Sequence, residues 1–335
     1  MTRVAINGFG RIGRNFLRAY LERRPNYEIV AINDLGDPKT MAHLLEFDSL
    51  LGRLPTEVVA GSETISVGGH RLRASSIPEP EDLPWEYLGV DVVVEATGRF
   101  EKREQAQAHV EAGAGTVVIS AVANDADVTL VLGVNDNAYD PKRHRIISNA
   151  SCTTNCVTPM AKVLNDAFGI ERGFMTTLHA YTATQPVLDA PHKDLRRARA
   201  AAINLIPTTT GATRALGVVL PELEGKINGI AIRAPVPVGS IVDLVVQLSR
   251  PAGRDEVNAV FRSAAERGPL VGILRYADEP LVSSDIVRSP YSCVFDSQLT
   301  MSEDGLVKVL GWYDNEWGYS CRLVDLVERL AGGSD

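Results

Sequence analysis

Apolar and polar positions alternate in blocks along the first half of the chain. The run RVAING is rich in residues that favour strands, and RNFLRAYLERR behind it has apolar residues at helical spacing, namely Phe16, Leu17, Tyr20 and Leu21. Further apolar runs, separated by polar or helical stretches, are EIVAIND, VDVVVEATG, TVVIS, DVTLVLGVN and RIISNAS. Because strands that alternate with helices pair in parallel, the pattern predicts a mostly parallel sheet covered by helices.

After about residue 151 the pattern changes. TPMAKVLNDAF is helical, and the runs behind it are longer and typical of strands in hairpins: GFMTTLHAY, GIAIRAPVPV, SIVDLVVQL and CVFDSQLTMSEDGLVKVLGWYD. They predict a second domain of α+β type with a mixed or antiparallel sheet. The final segment, YSCRLVDLVERLA, is predicted to be an amphipathic helix that needs a partner face.

Composition narrows the class of protein and its partners. Of the 335 residues, 45% are hydrophobic and 23% are charged, which is typical of a globular protein. A net charge of -8 argues against nucleic acid or an anionic membrane as the main partner, because phosphates attract basic surfaces. No stretch is long enough to span a bilayer and the start lacks a signal-peptide pattern, so a cytoplasmic location is expected.

Cysteine usage predicts free thiols. The four cysteines, Cys152, Cys156, Cys293 and Cys321, are too few for a disulfide scaffold. Cys152 and Cys156 are spaced four apart, unlike the two-residue gap usual in zinc sites, so no metal site is expected.

A glycine motif, GxGxxG, stands at Gly8, Gly10 and Gly13, directly after a predicted strand and at the start of a predicted helix. The first glycine allows a tight turn, the second lets the backbone approach a pyrophosphate, and the third lets helix and strand pack. A phosphate is expected where Arg11 and Ile12 begin the helix. The glycines can also mark a tight turn alone, but strand, turn and helix in this order favour a Rossmann-type dinucleotide-binding domain.

Asp34 ends the second predicted strand. A carboxylate there accepts hydrogen bonds from the adenosine ribose and repels a 2′-phosphate, which favours NAD over NADP; the alternative is that Asp34 only caps a loop. The predicted fold class is therefore α/β, with an NAD-binding Rossmann domain at residues 1–150 and an α+β catalytic domain at residues 151–314.

SNASCTTNC places Cys152 after a predicted strand and ahead of a helical run, and a helix N-terminus lowers a thiol pKa. A nucleophilic cysteine needs a base, and among six histidines His179 is the best candidate, because it lies in the strand TTLHAYT. The pair would hold a thiolate as an ion pair. Taken singly, a cysteine or a histidine in apolar surroundings is more often structural. Cys156 is expected to pack beneath Cys152 on the same helix face, and Cys293 and Cys321 to lie in the core.

Cations and hydroxyls accumulate in the same predicted domain, in HKDLRRARAAA (192–202), TTTG (208–211) and IRAP (232–235). Such side chains suit phosphate oxygens. The alternative for LRRARAAA is a solvated or interface helix with ion pairs, and the run would also serve a contact between subunits.

Six segments together resemble the glyceraldehyde-3-phosphate dehydrogenase family: GFGRIGR, NASCTTNC, HAYTATQ, DLRRARAAA, PTTTGA and YDNEWGYS. The resemblance spans residues 3 to about 332 and implies a phosphorylating, NAD-dependent aldehyde dehydrogenase that converts D-glyceraldehyde 3-phosphate to 1,3-bisphosphoglycerate. Cys152 would attack the aldehyde to form a thiohemiacetal, and His179 would accept the hydroxyl proton. A thioester follows, and inorganic phosphate attacks it while His179 and the Cys152 backbone N–H stabilise the oxyanion. One active site serves glycolysis and gluconeogenesis alike.

The resemblance also implies two anion sites that flank the cysteine. The residues that match the site for the substrate phosphate are Thr182, Arg197 and Arg233. Those that match the site for the attacking inorganic phosphate are Ser151, Thr153, Thr210 and Gly211.

For the cofactor, the resemblance implies that Asn315 holds the nicotinamide carboxamide, that Tyr319 lies alongside the ring, and that Thr97 and Ser120 border the cleft. It further implies a homotetramer in which the loop around 181–204 packs near a neighbouring subunit's cofactor. The helical segment 315–335 would return to the NAD-binding domain.

Three departures from the family pattern concern specificity. Ala190 stands where strictly NAD-specific relatives often carry leucine, while Asp34 and Leu35 favour NAD; a carboxylate opposing a phosphate outweighs the loop change, so NAD is expected. Ala183 lies in a variable stretch and decides little. PVPVGS, at Pro235 to Ser240, differs from the PTPNVS frequent in relatives, and the segment Val236 to Ser240 is where the substrate pocket can differ.

Three other functions compete with this one. The family's erythrose-4-phosphate dehydrogenase branch hydrolyses the thioester and lacks PTTTG, which this chain has. A purely non-enzymatic binding role has no feature in this acidic sequence to specify a partner. A thiol hydrolase using Cys152 and His179 would leave the dinucleotide motif without a purpose.

Overall fold

The structure, a computed structural model, describes residues 1–332, and its internal contacts divide it into two units. The first unit comprises residues 1–130, residues 137–150 and the chain from residue 320 onward; the second comprises residues 131–136 and 151–319. The last three residues of the predicted segment 315–335 lie outside the described residues. Within residues 1–332, no helix is long and apolar enough to cross a membrane.

Helices and strands alternate in the first unit, and long strands dominate the second. The α-helices of the described residues are α1 (Arg11–Arg23), α2 (Pro38–Glu46), α3 (Trp85–Leu88), α4 (Arg103–Glu111), α5 (Cys152–Phe168), α6 (Ala212–Val219), α7 (Arg254–Glu266) and α8 (Trp317–Gly332). The strands are β1 (Arg3–Asn7), β2 (Glu28–Asn33), β3 (Phe47–Asp48), β4 (Gly52–Arg53), β5 (Val58–Ala60), β6 (Thr64–Val67), β7 (His70–Ser75), β8 (Val92–Glu95), β9 (Thr116–Ile119), β10 (Val128–Thr129), β11 (Ile146–Ser148), β12 (Ile170–Ala180), β13 (Ile206–Thr209), β14 (Ile227–Ala234), β15 (Ser240–Leu248), β16 (Leu274–Ala277), β17 (Cys293–Asp296), β18 (Met301–Glu303) and β19 (Leu306–Tyr313).

A nine-stranded sheet forms the centre of the first unit, in the order β10-β11-β9-β8-β1-β2-β7-β6-β5. From β10 to β7 every neighbouring pair is parallel, and β6 and β5 extend one edge with antiparallel pairs. The mostly parallel sheet predicted from the block pattern is confirmed. β8 reads VVVE and is buried along its whole length, as expected of a strand covered on both faces.

One strand of this sheet is shorter than its apolar run. Of DVTLVLGVN only Val128–Thr129 pairs in the sheet, as β10. The chain then turns, because the Asn135 side chain accepts from the Val131 N–H at 2.8 Å and the Asn135 N–H donates to the Val131 carbonyl at 3.2 Å. The strand predicted over the whole run is therefore wrong beyond Thr129.

The second unit contains an eight-stranded sheet, in the order β13-β14-β12-β15-β19-β17-β16, with β18 paired to β19. Most pairs are antiparallel, but β12 with β14 and β16 with β17 are parallel, so the predicted mixed sheet is confirmed. The parallel register of β12 and β14 sets His179 directly beside Arg233. Helix α5 packs against this sheet on β12, β15, β17 and β19.

The arginine-rich segment DLRRARAAA forms turns rather than a helix, up to the single 3-10 turn at Ala201–Ile203. The helix considered for it is therefore wrong. Asp189 closes the segment into a loop, since its carboxylate accepts from Arg199 Nε at 2.8 Å and from the Ala200 N–H at 3.0 Å. Both bonds join residues that are much farther apart in the chain than the four-residue spacing of α-helical hydrogen bonds.

Gly13 lies where α1 crosses the turn at Gly8, and a Cβ there would be 2.1 Å from the Gly8 carbonyl oxygen. We expect Gly13→Ala to lower the free energy of unfolding by about 1–3 kcal/mol, the usual cost of overpacking, because backbone cannot move aside as a side chain can. Chemical denaturation measures this. Gly10→Ala is the matched control, since its Cβ would meet no atom within 4 Å. Equal stability of the two variants would contradict the packing argument.

Candidate active site

The glycine turn of the first unit leaves open space where α1 begins. Gly8 has a φ of +93°, and a Cβ on it would be 2.5 Å from the Thr97 backbone nitrogen, so only glycine fits. Gly10 is the N-cap of α1 and provides no side-chain cap, and a Cβ there would meet nothing within 4 Å. A helix N-terminus with room beside it suits an anion such as a pyrophosphate.

Arg11 and Ile12 occupy the first turn of α1, as predicted for the phosphate contact. The Arg11 guanidinium, however, is engaged by the Asp48 carboxylate, which is almost wholly buried. Any contact of these two residues with a phosphate is thus expected through the backbone N–H groups rather than through the arginine charge.

Asp34 follows β2 and faces the glycine turn. Its Oδ2 accepts from the Phe9 N–H at 2.6 Å, and its Oδ1 accepts from the Gly36 N–H at 3.0 Å. The carboxylate therefore fixes the turn and still has lone pairs for a ligand. A pocket of about 200 Å³ opens here, and its walls include Gly8, Gly10, Asp34, Leu35, Thr97 and Phe100. Ser120, after β9, is not among its lining residues.

In the second unit, Cys152 and His179 meet although 27 residues separate them, with Sγ 3.4 Å from Nε2. Cys152 is the first residue of α5. Its position follows from the turn before it, where Ala150 has a φ of 53° and Ser151 caps the helix by accepting from the Thr154 N–H at 3.0 Å. His179 is the penultimate residue of β12, beneath that helix start.

Burial shifts the pKa of both members of this pair. It raises the pKa of the Cys152 thiol above its ordinary value, and the Arg233 charge and hydrogen bonds at the start of α5 offset this only in part. Burial and the Arg233 charge lower the pKa of His179 to about 3. The predicted lowered thiol pKa is therefore wrong, and both shifts disfavour the predicted thiolate–imidazolium pair, because desolvation outweighs the helix N-terminus.

The Nδ1 atom of His179 faces both a hydrogen-bond acceptor and a hydrogen-bond donor. It is 2.6 Å from the Ala180 carbonyl oxygen and 2.7 Å from Arg233 Nη1. When Nδ1 carries the proton it donates to Ala180, and the lone pair of Nε2 faces the Cys152 sulfur. Arg233 Nη1 then has the same carbonyl as acceptor, at 3.2 Å. This arrangement presents a neutral imidazole that can accept a proton.

Two arginines near Cys152 and His179 have guanidinium groups that can donate further hydrogen bonds. The buried Nε atoms of Arg197 and Arg233 have no hydrogen-bond partner within residues 1–332. Burial and, to a lesser degree, the Arg197 charge lower the pKa of Arg233. Arg197 Nη2 donates to Thr184 Oγ1 at 2.7 Å, and Thr184 Oγ1 lies 2.9 Å from Thr182 Oγ1. An anion would satisfy both guanidinium groups at once.

The four residues predicted for the second anion site differ in which of their groups can contact an anion. Ser151 caps α5, and Gly211 is the N-cap of α6, where Thr210 Oγ1 accepts from the Ala212 N–H at 3.2 Å. Helices α5 and α6 pack together. Thr153, by contrast, is almost wholly buried and its hydroxyl lies 2.9 Å from the Tyr313 hydroxyl. Its side chain is thus occupied, which leaves its backbone N–H to an anion.

Two residues of this site, Tyr313 and Ser240, have contacts to which the sequence analysis assigned no role. The buried Tyr313 hydroxyl lies 2.8 Å from Thr177 Oγ1, and its ring meets the His179 ring edge to face with centroids 6.0 Å apart. Ser240 Oγ accepts from the Ala180 N–H at 3.1 Å and donates to Asn315 Oδ1 at 3.1 Å. Buried hydroxyls in strands leave no periodic signal in a sequence, although Tyr313 is the first residue of the family segment YDNEWGYS.

The remaining predicted residues are buried. Asn315 accepts a hydrogen bond from Ser240 Oγ through its Oδ1. Tyr319 is almost wholly buried. The Cys156 thiol is 3.5 Å from the Gly311 carbonyl, and Cys293 and Cys321 are also buried free thiols. Across residues 1–332, no group of three histidine, cysteine or acidic side chains is placed to hold a metal ion.

Comparisons with known proteins cover nearly the whole chain. The family model described as the NAD binding domain of glyceraldehyde 3-phosphate dehydrogenase matches residues 2–103, and the model of its C-terminal domain matches residues 151–315. The glyceraldehyde-3-phosphate dehydrogenase of Streptomyces coelicolor is 60% identical over 325 residues, which is 97% of each chain. Those of Mycobacterium tuberculosis and Kitasatospora aureofaciens are 59% and 56% identical, each over 99% of both chains.

The two backbone bonds to Asp34 suggest a sharp test of its role. Asp34→Asn keeps one acceptor for the Phe9 N–H but removes the negative charge. We expect the preference for NAD over NADP to fall by about 100-fold, because opposed like charges cost several kcal/mol and each 1.4 kcal/mol is tenfold. Dissociation constants for both nucleotides measure this. Asp37→Asn, at the exposed N-cap of α2, is the control. An unchanged preference in Asp34→Asn would refute the role.

Proposed function

Because the chain belongs to the glyceraldehyde-3-phosphate dehydrogenase family, we propose that it oxidises D-glyceraldehyde 3-phosphate with NAD and inorganic phosphate to 1,3-bisphosphoglycerate. Its class, an NAD-dependent oxidoreductase acting on an aldehyde, follows from that membership. The single observation that carries the proposed mechanism is the 3.4 Å contact of Cys152 Sγ with His179 Nε2, beside the two guanidinium groups.

Cys152 and His179 carry the covalent steps. Cys152 Sγ attacks the aldehyde carbon, its proton passes to His179 Nε2, and His179 returns that proton to the new hydroxyl of the thiohemiacetal. His179 then takes the hydroxyl proton as hydride leaves the carbon, which produces a thioester on Cys152. A neutral imidazole is the form that this step needs, and the lowered pKa of His179 favours that form.

Phosphorolysis completes the cycle. Inorganic phosphate attacks the thioester carbonyl, the acyl phosphate leaves, and the Cys152 sulfur recovers its proton from His179. The Cys152 backbone N–H, in the first turn of α5, would stabilise the oxyanion of the tetrahedral intermediate.

The cofactor fits the residues present. Open space at Gly10 and the carboxylate of Asp34 suit the pyrophosphate and the adenosine ribose, and Thr97 lines the same pocket. NAD, when bound, supplies the acceptor for the hydride. Asn315 would hold the carboxamide through its Nδ2, because Ser240 already occupies its Oδ1. Tyr319 and Ser120 would complete the contacts.

The two anion sites position the phosphate groups. Arg197 and Arg233, with Thr182, would bind the phosphate of the aldehyde substrate. Ser151, Thr210 and Gly211 would bind inorganic phosphate at the starts of α5 and α6, and Thr153 would contribute its backbone N–H. Two cationic or helix-terminal sites beside one nucleophile are what a phosphorylated substrate and an attacking phosphate require.

Assembly into a homotetramer is part of the proposal. Apolar side chains on the second unit support it, since Phe174 is 72% exposed on β12 and Ile203 is 79% exposed. Val187 and Leu188, at 81% and 76% exposure, stand out from the loop 181–204. Apolar surface of this kind typically marks a contact with another chain. The cytoplasmic location stays a prediction.

Replacement of the proposed nucleophile and of the proposed base tests the mechanism. We expect Cys152→Ser to abolish turnover and His179→Asn to slow it by about 100-fold to 10,000-fold, the range for a general base. Steady-state formation of NADH measures this. His43→Asn, which changes an exposed histidine of α2, is the control and should keep the wild-type rate. A His179→Asn enzyme with an unchanged rate would refute the assignment.

Whether turnover depends on phosphate distinguishes the phosphorylating branch of the family from the hydrolytic branch. Without phosphate or arsenate, we expect NADH formation to stop near one equivalent per site, because the thioester persists. Thr210→Val should raise the KM for phosphate and leave that for the aldehyde nearly unchanged, whereas the exposed neighbour Thr209→Val should change neither. Sustained turnover without phosphate would instead favour the hydrolytic erythrose-4-phosphate dehydrogenase activity.

A further inference from the structure

A buried carboxylate lies behind the nucleotide pocket of the first unit and has no part in the chemistry described above. Glu95 ends β8 and is only 2% exposed. We propose that Glu95 is a positioning residue for the dinucleotide: it holds Thr97 on one wall of the pocket and, through Asn7, the end of the strand that leads into the glycine turn. The inference rests on the proposed binding of NAD in that pocket.

Glu95 is held by four donors, two for each oxygen. Oε1 accepts from the Thr97 N–H at 2.8 Å and from the Thr97 hydroxyl. Oε2 lies 2.6 Å from Asn7 Nδ2 and 3.0 Å from His109 Nε2. A buried carboxylate is tolerated only with such a complete set of hydrogen bonds, and these charge-assisted bonds are stronger than neutral ones.

The direction of the hydrogen bonds around His109 is fixed by Trp85. Trp85 Nε1 is 2.9 Å from His109 Nδ1, and an indole nitrogen can only donate. His109 Nδ1 is therefore the acceptor and carries no proton, so the proton is on Nε2 and points at Glu95. Trp85, His109 and Glu95 thus form a chain in which every donor faces an acceptor.

The same chain of bonds continues beneath the pocket. Asn7 Oδ1 accepts from Asn33 Nδ2 at 2.8 Å, and Asn33 Oδ1 accepts from the Ile77 N–H at 2.9 Å. Asn7 and Asn33 end β1 and β2, and both line the pocket together with Thr97. Because parallel strands end at one edge of the sheet, one carboxylate can hold several walls of the pocket at once.

Thr97 is fully committed to this arrangement. Its N–H and its hydroxyl both donate to Glu95, and its Oγ1 accepts from the Arg99 N–H at 3.0 Å. The backbone of Thr97 also lies so close to Gly8 that a Cβ on Gly8 would clash with the Thr97 backbone nitrogen. Movement of Thr97 would therefore change the space that the glycine turn leaves for a pyrophosphate.

Glu95→Gln tests the proposal, because it keeps the shape of the side chain and replaces one acceptor oxygen by a donor. The new N–H groups would face either the Thr97 donors or those of Asn7 and His109. We expect the dissociation constants of NAD and of ADP-ribose, measured by calorimetry, to rise by about 10-fold to 100-fold, the range found for groups that orient binding residues. At saturating NAD, kcat should stay within about threefold of wild type.

Two further variants separate positioning from general loss of stability. Glu104→Gln changes an exposed glutamate of α4 and should leave both dissociation constants unchanged. Trp85→Phe keeps the aromatic ring but removes the donor to His109 Nδ1, so the imidazole can turn its lone pair towards Glu95; we expect NAD binding to weaken several-fold. Trp85→Phe tests the proposal by itself if Glu95→Gln does not fold.

The outcomes are distinct. Binding of NAD by wild type and by Glu95→Gln with equal affinity would overturn the inference, as would a lower kcat with an unchanged KM for NAD. If only Trp85→Phe folds, unchanged binding in that variant overturns it. Failure of the wild-type chain to bind NAD would instead overturn the proposed function.

Discussion

The contact between Cys152 and His179 requires that the first residue of a helix and the last residues of a strand meet. Helix α5 satisfies the first condition because Ser151 caps it and Ala150 turns the chain with a positive φ of 53° immediately before the cap. Strand β12 satisfies the second because it lies inside the mixed sheet, between β14 and β15. The proposed anion sites and the proposed base all depend on this meeting point.

Burial gives the contact its chemical character. Burial disfavours the charged forms, so it raises the pKa of the Cys152 thiol and, with the Arg233 charge, lowers the pKa of His179 to about 3. The buried hydroxyls of Tyr313, Thr153 and Thr177 satisfy one another beside the pair. Ser240 links the strand end at Ala180 to Asn315. Such networks hold side chains in one arrangement because an unpaired polar group would be costly in the same surroundings.

The nucleotide pocket follows a related rule in the first unit. Parallel strands end at a common edge, and here three of them end in buried polar residues, Asn7, Asn33 and Glu95. Their side chains bond to one another rather than to water. The pocket wall is therefore assembled from segments that are far apart in the chain, and its shape depends on the pairing order of the strands.

Sequence by itself determined what is local: the strand, glycine turn and helix around Gly10, the carboxylate at Asp34, the position of Cys152 at a helix start, and both sheet types. Periodicity and turn chemistry act over a few residues, so they can be read along the chain. Only the tertiary structure decided how burial shifts the pKa values of Cys152 and His179, the hydrogen bond of the Thr153 side chain to Tyr313, the loop in place of an arginine helix, and the bonds of Glu95. These depend on which distant segments come together and how far they exclude water, and no local pattern records either.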